Sequence, residues 1–198
     1  MKIKEKFLRL SEEENALDYL SKAHDHILQT EKNVIAWKWV ILALHDALYG
    51  FAICALKGTN SNRVTYQTKR GEVRLISFNE ALKRCQDSGW MRLTTESKHL
   101  QLSEQQKISI RQLQKTFRNN FVHFIPKGWS IEIHGLPQIA MDILDVIRFL
   151  ALDTGNYVNL NKAQMKKVKS LVFQSKRVLK KSRLYKEAEL IIEGDQII

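Results

Sequence analysis

The chain has 198 residues, 44% of them hydrophobic and 27% charged, which is enough apolar material for one domain with a core of its own. With 2 prolines and 8 glycines it is not a low-complexity chain. Cys54 and Cys85 lie far apart and outside any paired-cysteine spacing, which points to a reducing, cytoplasmic setting without disulfides or structural zinc. The formal charge of +11 is uneven: residues 1–160 carry 22 Lys/Arg against 17 Asp/Glu, residues 161–186 carry ten bases and no acid, and the last twelve residues carry four acids and no base.

The N-terminus, Met1 to Phe7, is charged and no apolar signal core follows it. Ser11-Glu12-Glu13-Glu14 has the spacing of a capping box, and Leu17, Leu20, His24, Ile27 and Leu28 then recur at helical spacing, which predicts a helix from 11 to about 30. After a break at Glu31-Lys32-Asn33 comes the most apolar run, Val34 to Leu56, long enough for a membrane span. Lys38, His45 and Asp46 interrupt it, and an ionised group at mid-bilayer costs several kcal/mol, so the run reads as a central bundle helix packed on several sides. Asp46 either faces solvent at the helix edge or reaches Arg118 or His123 of a neighbouring helix, because a buried carboxylate needs a partner.

Gly58-Thr59-Asn60-Ser61-Asn62 ends that helix. Residues 63–76 alternate weakly around Lys69-Arg70-Gly71, as a small hairpin or an ordered loop. Ser77-Phe78-Asn79-Glu80 caps a short helix through about Gln86, and Trp90, Met91 and Leu93 fold back on the core. The whole of 58–102 reads as an insertion between bundle helices. Ser103-Glu104-Gln105-Gln106 then opens a helix with Ile110, Leu113, Phe117, Phe121 and Phe124 along one stripe. Pro126 makes Ile125 extended and places His123 in the last turn or just past it. After an extended link at 129–134, Leu136-Pro137 starts a helix to about Asp153, buried along Ile139, Ile143, Val146 or Ile147, and Leu150.

Asn159 or Asn161 caps a final basic helix with Met165, Val168, Val172 and Leu179 on its apolar stripe. Its other faces carry Lys166, Lys167, Lys169, Lys176, Arg177, Lys180, Lys181 and Arg183, a charge that attracts nucleic acid or an anionic surface by counterion release, or serves as a solvated face. The predicted fold is all-α: a helical bundle over 1–155 with the 58–102 insertion, and a basic helix and tail over 156–198 packed on the same domain.

Candidate chemistry concentrates at Arg118-Asn119-Asn120-Phe121-Val122-His123. Arg holds a phosphate at any physiological pH and His moves protons near neutrality, which suits phosphodiester chemistry. Five residues apart, the two are rotated by ~140° on a regular helix. Either the helix ends between them or two copies of the protein meet and share a cleft. A structural role, capping the last carbonyls of the helix, is the competing reading for both. Lys127 and Trp129 stand beside the pair; Trp129 either stacks on a base or acts as a hydrophobic lid. Trp37 and Trp39 read as core, His45 as packed, and His24 with His26 fall on different helix faces, which suits no zinc site. The sequence holds no Gly-rich phosphate loop, His-Glu-x-x-His or nucleophile elbow, and no cofactor or metal is expected.

Arg118-Asn119-x-x-x-His123 resembles the Arg-x(4–6)-His motif of the HEPN superfamily, in which a polar residue commonly follows the arginine. The helical layout over about 11–155 is compatible with the HEPN bundle, which is often dimeric. The resemblance implies a metal-independent endoribonuclease of the kind found in toxin–antitoxin, abortive-infection and CRISPR-associated systems. It gives Arg118 the scissile phosphate, His123 general acid or base work, and Asn119 the orientation of either group. The implied product is a 2′,3′-cyclic phosphate, and the implied partners are RNA, a second copy of the chain and a protein antitoxin or regulator. Asp46 joins the candidates from its place in an apolar helix. Two alternatives stand beside this reading: a catalytically silent HEPN-like scaffold for RNA or protein, and a plain nucleic-acid binder working through 161–186.

Overall fold

Ser11 opens α1 (Glu12–Ile27) with a complete capping box: its Oγ accepts from the Glu14 N–H at 3.1 Å, and the Glu14 carboxylate accepts from the Ser11 N–H at 2.9 Å. The computed structural model describes residues 6–123, 126 and 128–195; Phe124, Ile125 and Lys127, expected to continue a stripe, to be extended and to contact nucleic acid, lie outside the described residues. Over the chain the fold is 65% helical with 3% strand, an all-α class.

The apolar run forms α2 (Ala36–Lys57), and its low polarity follows from its neighbours: α1, α3 (Phe78–Cys85) and α7 (Leu136–Arg148) all pack on it, together with a π-helical segment at Gln112–Arg118. Among the described residues α2 is the one helix long and apolar enough to cross a membrane, and the bundle buries most of it. At Gly50 the backbone of α2 meets α1 so closely that a Cβ would sit 2.7 Å from the Ala16 Cβ, so this crossing requires glycine.

Residues 58–102 lie over one side of α2. Strands β1 (Thr65–Gln67) and β2 (Val73–Leu75) pair antiparallel as a hairpin, with Thr65 opposite Leu75. Then come α3 and the single turn α4 (Ser88–Met91). Val64, Ile76, Phe78, Leu82, Cys85 and Met91 join the same core as α1 and α2, so the insertion shares the bundle's interior. The Tyr49 hydroxyl donates to the Ile76 carbonyl. Asn156 ties the far edge down: its amide donates to the Ala55 carbonyl at 3.0 Å and its carbonyl accepts from Ser97 Oγ at 2.6 Å.

After α7 a π-helical turn, Phe149–Asp153, leads to α8 (Lys162–Lys181), which Asn161 opens as a capping box with Gln164. Val168, Val172, Ser175 and Leu179 bury one face of α8 against α1 and α7; Met165, expected in that stripe, sits in the first turn and is exposed. The expected single basic helix and tail is two helices. Ser182 turns the chain to extended backbone and its Oγ accepts from the Tyr185 N–H at 3.2 Å, capping α9 (Arg183–Asp195), which folds onto α7 and α8.

Candidate functional site

Ser103 caps α5 (Glu104–Arg111) in a capping box with Gln106, and the helix runs on through the π segment at Gln112–Arg118 into α6 (Asn119–Val122). Ile110, Leu113 and Phe117 are buried along it, and Phe121 is half-buried. A π-turn widens the helix locally, a feature that recurs at functional sites, and here it ends at Arg118.

Arg118 is half-buried, and its Nη1 donates to the Asn119 Oδ1 at 3.3 Å. Among the described residues its guanidinium makes no ion pair. His123 is exposed at the helix end, with φ −110° and ψ 53°, and its N–H still donates to the Asn119 carbonyl at 2.8 Å. The helical path therefore persists up to His123, and the two side chains leave the helix at an angle of ~140°. Among the described residues no hydrogen bond joins them. Arg118 and Asn119 are brought together; His123, four residues after Asn119, shares the side of Asn119 at this helix end but not that of Arg118.

An apolar groove of 450 Å³ adjoins this end, between the start of α2 and the link before α7. Phe121 and Trp129 meet edge to face with ring centroids 5.2 Å apart, and Val34, Ile35 and Ile133 complete the walls, so Trp129 packs as part of the groove wall. Val34, Ile35 and Val122 are exposed around it.

Asp46 has a partner other than Arg118 or His123. Its Oδ1 lies 2.8 Å from Nδ1 of His45, whose buried ring stacks on Phe78 at 4.4 Å, while the carboxylate itself is 39% exposed. The pair anchors the insertion on α2 and accounts for a carboxylate in so apolar a helix. His24 Nδ1 bonds Ser175 Oγ at 2.9 Å, fixing α1 to α8. Trp37 is core as expected, but Trp39, near the start of α2, is exposed, stacked on His26 of α1 with Lys38 over its ring. Burial pushes the thiols of Cys54 and Cys85 up to about 12, which keeps both neutral and unreactive. Among the described residues no group of three or more His, Cys, Asp or Glu could hold a metal ion.

No protein-family model, curated protein or solved structure matches this chain.

The basic residues of α8 divide by face. Lys169, Lys176, Arg177, Lys180 and Lys181 line a groove between α8 and α7, whereas Lys166 and Lys167 are exposed outside it. Three groove residues escaped the sequence reading, Asp145 and Arg148 of α7 and Phe173. Phe173 carries a legible signal, an aromatic four residues from both Lys169 and Arg177 on a charged face; Arg148 has none before α7 and α8 are known to touch.

Proposed function

We propose that this protein is a HEPN-like, metal-independent endoribonuclease acting as a homodimer in the cytoplasm, with Arg118 and His123 at a cleft between two copies. The observation that carries this reading is Arg118 itself: half-buried, held in place by Asn119, and without a carboxylate among the described residues, while His123 stands exposed at the same helix end. An arginine kept for structure is normally paired; one oriented by a neutral amide keeps its charge for an anion. The ~140° between the two groups favours sharing between protomers, since a twofold axis along this helix end brings the Arg118 of one copy toward the His123 of the other. The exposed Val34, Ile35 and Val122 supply an apolar rim for such a contact.

In this arrangement one neutral His123 takes the proton of the ribose 2′-hydroxyl as the 2′-oxygen attacks phosphorus. The same His123, protonated by that step, gives the proton to the departing 5′-oxygen, leaving a 2′,3′-cyclic phosphate and a 5′-hydroxyl. Arg118 stabilises the charge that builds on the non-bridging oxygens, and Asn119 fixes the plane of the guanidinium. A toxin or defence role with a protein inhibitor fits an enzyme of this kind.

The test is RNA cleavage in EDTA by wild type and by His123→Ala, with circular dichroism on both. Cleavage by wild type alone, leaving cyclic-phosphate ends, supports the reading. Absence of cleavage across several structured RNAs makes the protein a silent HEPN-like binding module. Equal cleavage by both proteins removes His123 from the chemistry.

A further inference from the structure

The groove between α7 and α8 is built unlike a solvated charged face. Its volume is 560 Å³, in the range of ligand sites, and Val172 gives it an apolar floor. Arg148, Lys169, Lys176, Arg177, Lys180 and Lys181 line it against a single carboxylate, Asp145. Only Lys176 is matched to that acid, with Nζ at 2.5 and 2.6 Å from its two oxygens, a contact that pins α8 to α7. Arg148 reaches Asp153 at 3.5 Å, and Lys169, Arg177, Lys180 and Lys181 make no ion pair among the described residues. Amid these cations Phe173 is 68% exposed. An exposed apolar residue alone would be ordinary; what sets Phe173 apart is its place in a groove otherwise lined by cations with one acid among them.

We propose that this groove binds single-stranded nucleic acid, with a base stacked on Phe173 and the flanking phosphates on Lys169, Arg177 and Lys180. Aromatic side chains interleaved with cations are the components of sequence-tolerant single-strand binding, where stacking and backbone charge act together. On α8 these residues fall at i, i+4, i+8 and i+11, one continuous stripe, so ring and cations face the same strand. A duplex keeps its bases stacked inside and offers Phe173 nothing. A bilayer surface also attracts lysines and a phenyl ring, but it is broad and cannot enter a groove walled by two helices. The site stands apart from Arg118 and His123 and rests on neither.

Fluorescence anisotropy on the full chain carrying His123→Ala, so that no RNA is consumed, decides it. The probes are a short labelled oligouridine, its oligodeoxythymidine counterpart, an RNA duplex and, by co-sedimentation, phosphatidylserine vesicles. Both single strands bind, since neither stacking nor phosphate contact reads the 2′-hydroxyl, and the duplex binds more weakly. Phe173→Ala weakens the single strands by ~10-fold with the salt dependence unchanged. Lys169→Ala with Arg177→Ala and Lys180→Ala flattens the salt dependence instead. Phe173 is exposed, so an unchanged melting curve confirms that its loss is local. The proposal is overturned by no binding of either single strand, by equal binding of Phe173→Ala, by preference for the duplex or for vesicles, or by loss of binding on Arg118→Ala with the groove variants intact.

Discussion

Two regions of this molecule present cations, and they do so in opposite ways. Where the π segment meets α6 there is one arginine, half-buried and bonded to Asn119 near an apolar groove. Along α8 there are many, exposed, spread over three turns around an open phenylalanine. Transition-state stabilisation needs a charge fixed to within a fraction of an ångström, which demands burial and a second group to orient it. Affinity for a polyanion needs many charges and tolerates their mobility, because counterion release adds up contact by contact. Under the two proposals above, the fold would meet the two demands separately, with Arg118 on a helix packed into the core and the α8 cations on a helix with one face free.

The sharpest test of that division is complementation. Arg118→Ala and His123→Ala should each lower cleavage by ~10²–10⁴-fold, the usual loss of a general acid–base or an oxyanion-type cation, without weakening single-strand binding at α8. Mixed and allowed to exchange subunits, the two inactive variants should recover a fraction of the activity, since a heterodimer holds one cleft with an intact arginine from one copy and an intact histidine from the other. No recovery from demonstrably mixed dimers would place both groups in one protomer.

A core mutation separates the regions next. Leu113, within the π segment, is fully buried, and Leu113→Ala should cost about 2–5 kcal/mol, seen as a lower melting temperature, and lower cleavage with it. Binding at the α8 groove should survive below the new melting temperature, because α8 rests on α1 and α7. The two cysteines report on such variants. Burial raises both thiols from an ordinary value of 9.0 to about 12, so the unfolded chain loses their protons first. Between those values the unfolded state binds fewer protons than the folded one. Stability is therefore intact below pH ~9 and falls as pH rises toward 12, measurable as a denaturation midpoint against pH. At neutral pH neither thiol should react with a disulfide reagent until the core opens.

What the sequence made legible follows the range of the interactions involved. Ser11 and Ser103 were readable as helix starts because both halves of the capping box lie within four residues, and both form it; Ser77 caps α3 through its hydroxyl alone, and of Asn159 and Asn161, between which the spacing did not choose, Asn161 caps α8. Ser182 was not readable as a helix start, since it caps α9 with Tyr185 at the third position, where no Glu or Gln completes the pattern. The π segments were illegible, as hydrophobic spacing from Ile110 to Phe121 is satisfied by an ordinary helix as well. The Arg118, Asn119 and His123 pattern was visible locally. That Asp46 would turn to His45, its immediate neighbour, was not, because the choice depends on Phe78 closing over the histidine ring from the insertion. Phe173 was passed over although its spacing from Lys169 and Arg177 was visible, because only Arg148 and Asp145 of α7 give its surroundings a wall.

The smallest predicted effect concerns that wall. Asp145 and Lys176 form a partly exposed ion pair, worth about 0–1 kcal/mol to stability, so Asp145→Asn should barely move the melting temperature. For binding, the substitution removes the groove's one acid and releases Lys176. If charge alone governs affinity, an oligouridine should bind ~3-fold tighter, with a salt slope steeper by about 0.7, the share of one added phosphate contact on a single strand. If the pair instead holds α8 at the distance that lets a strand lie against Phe173, Asp145→Asn should weaken binding despite the added positive charge. The sign of the change therefore separates a field of charges from a shaped site, and a shaped groove would resemble the α6 end more than its exposed lysines suggest.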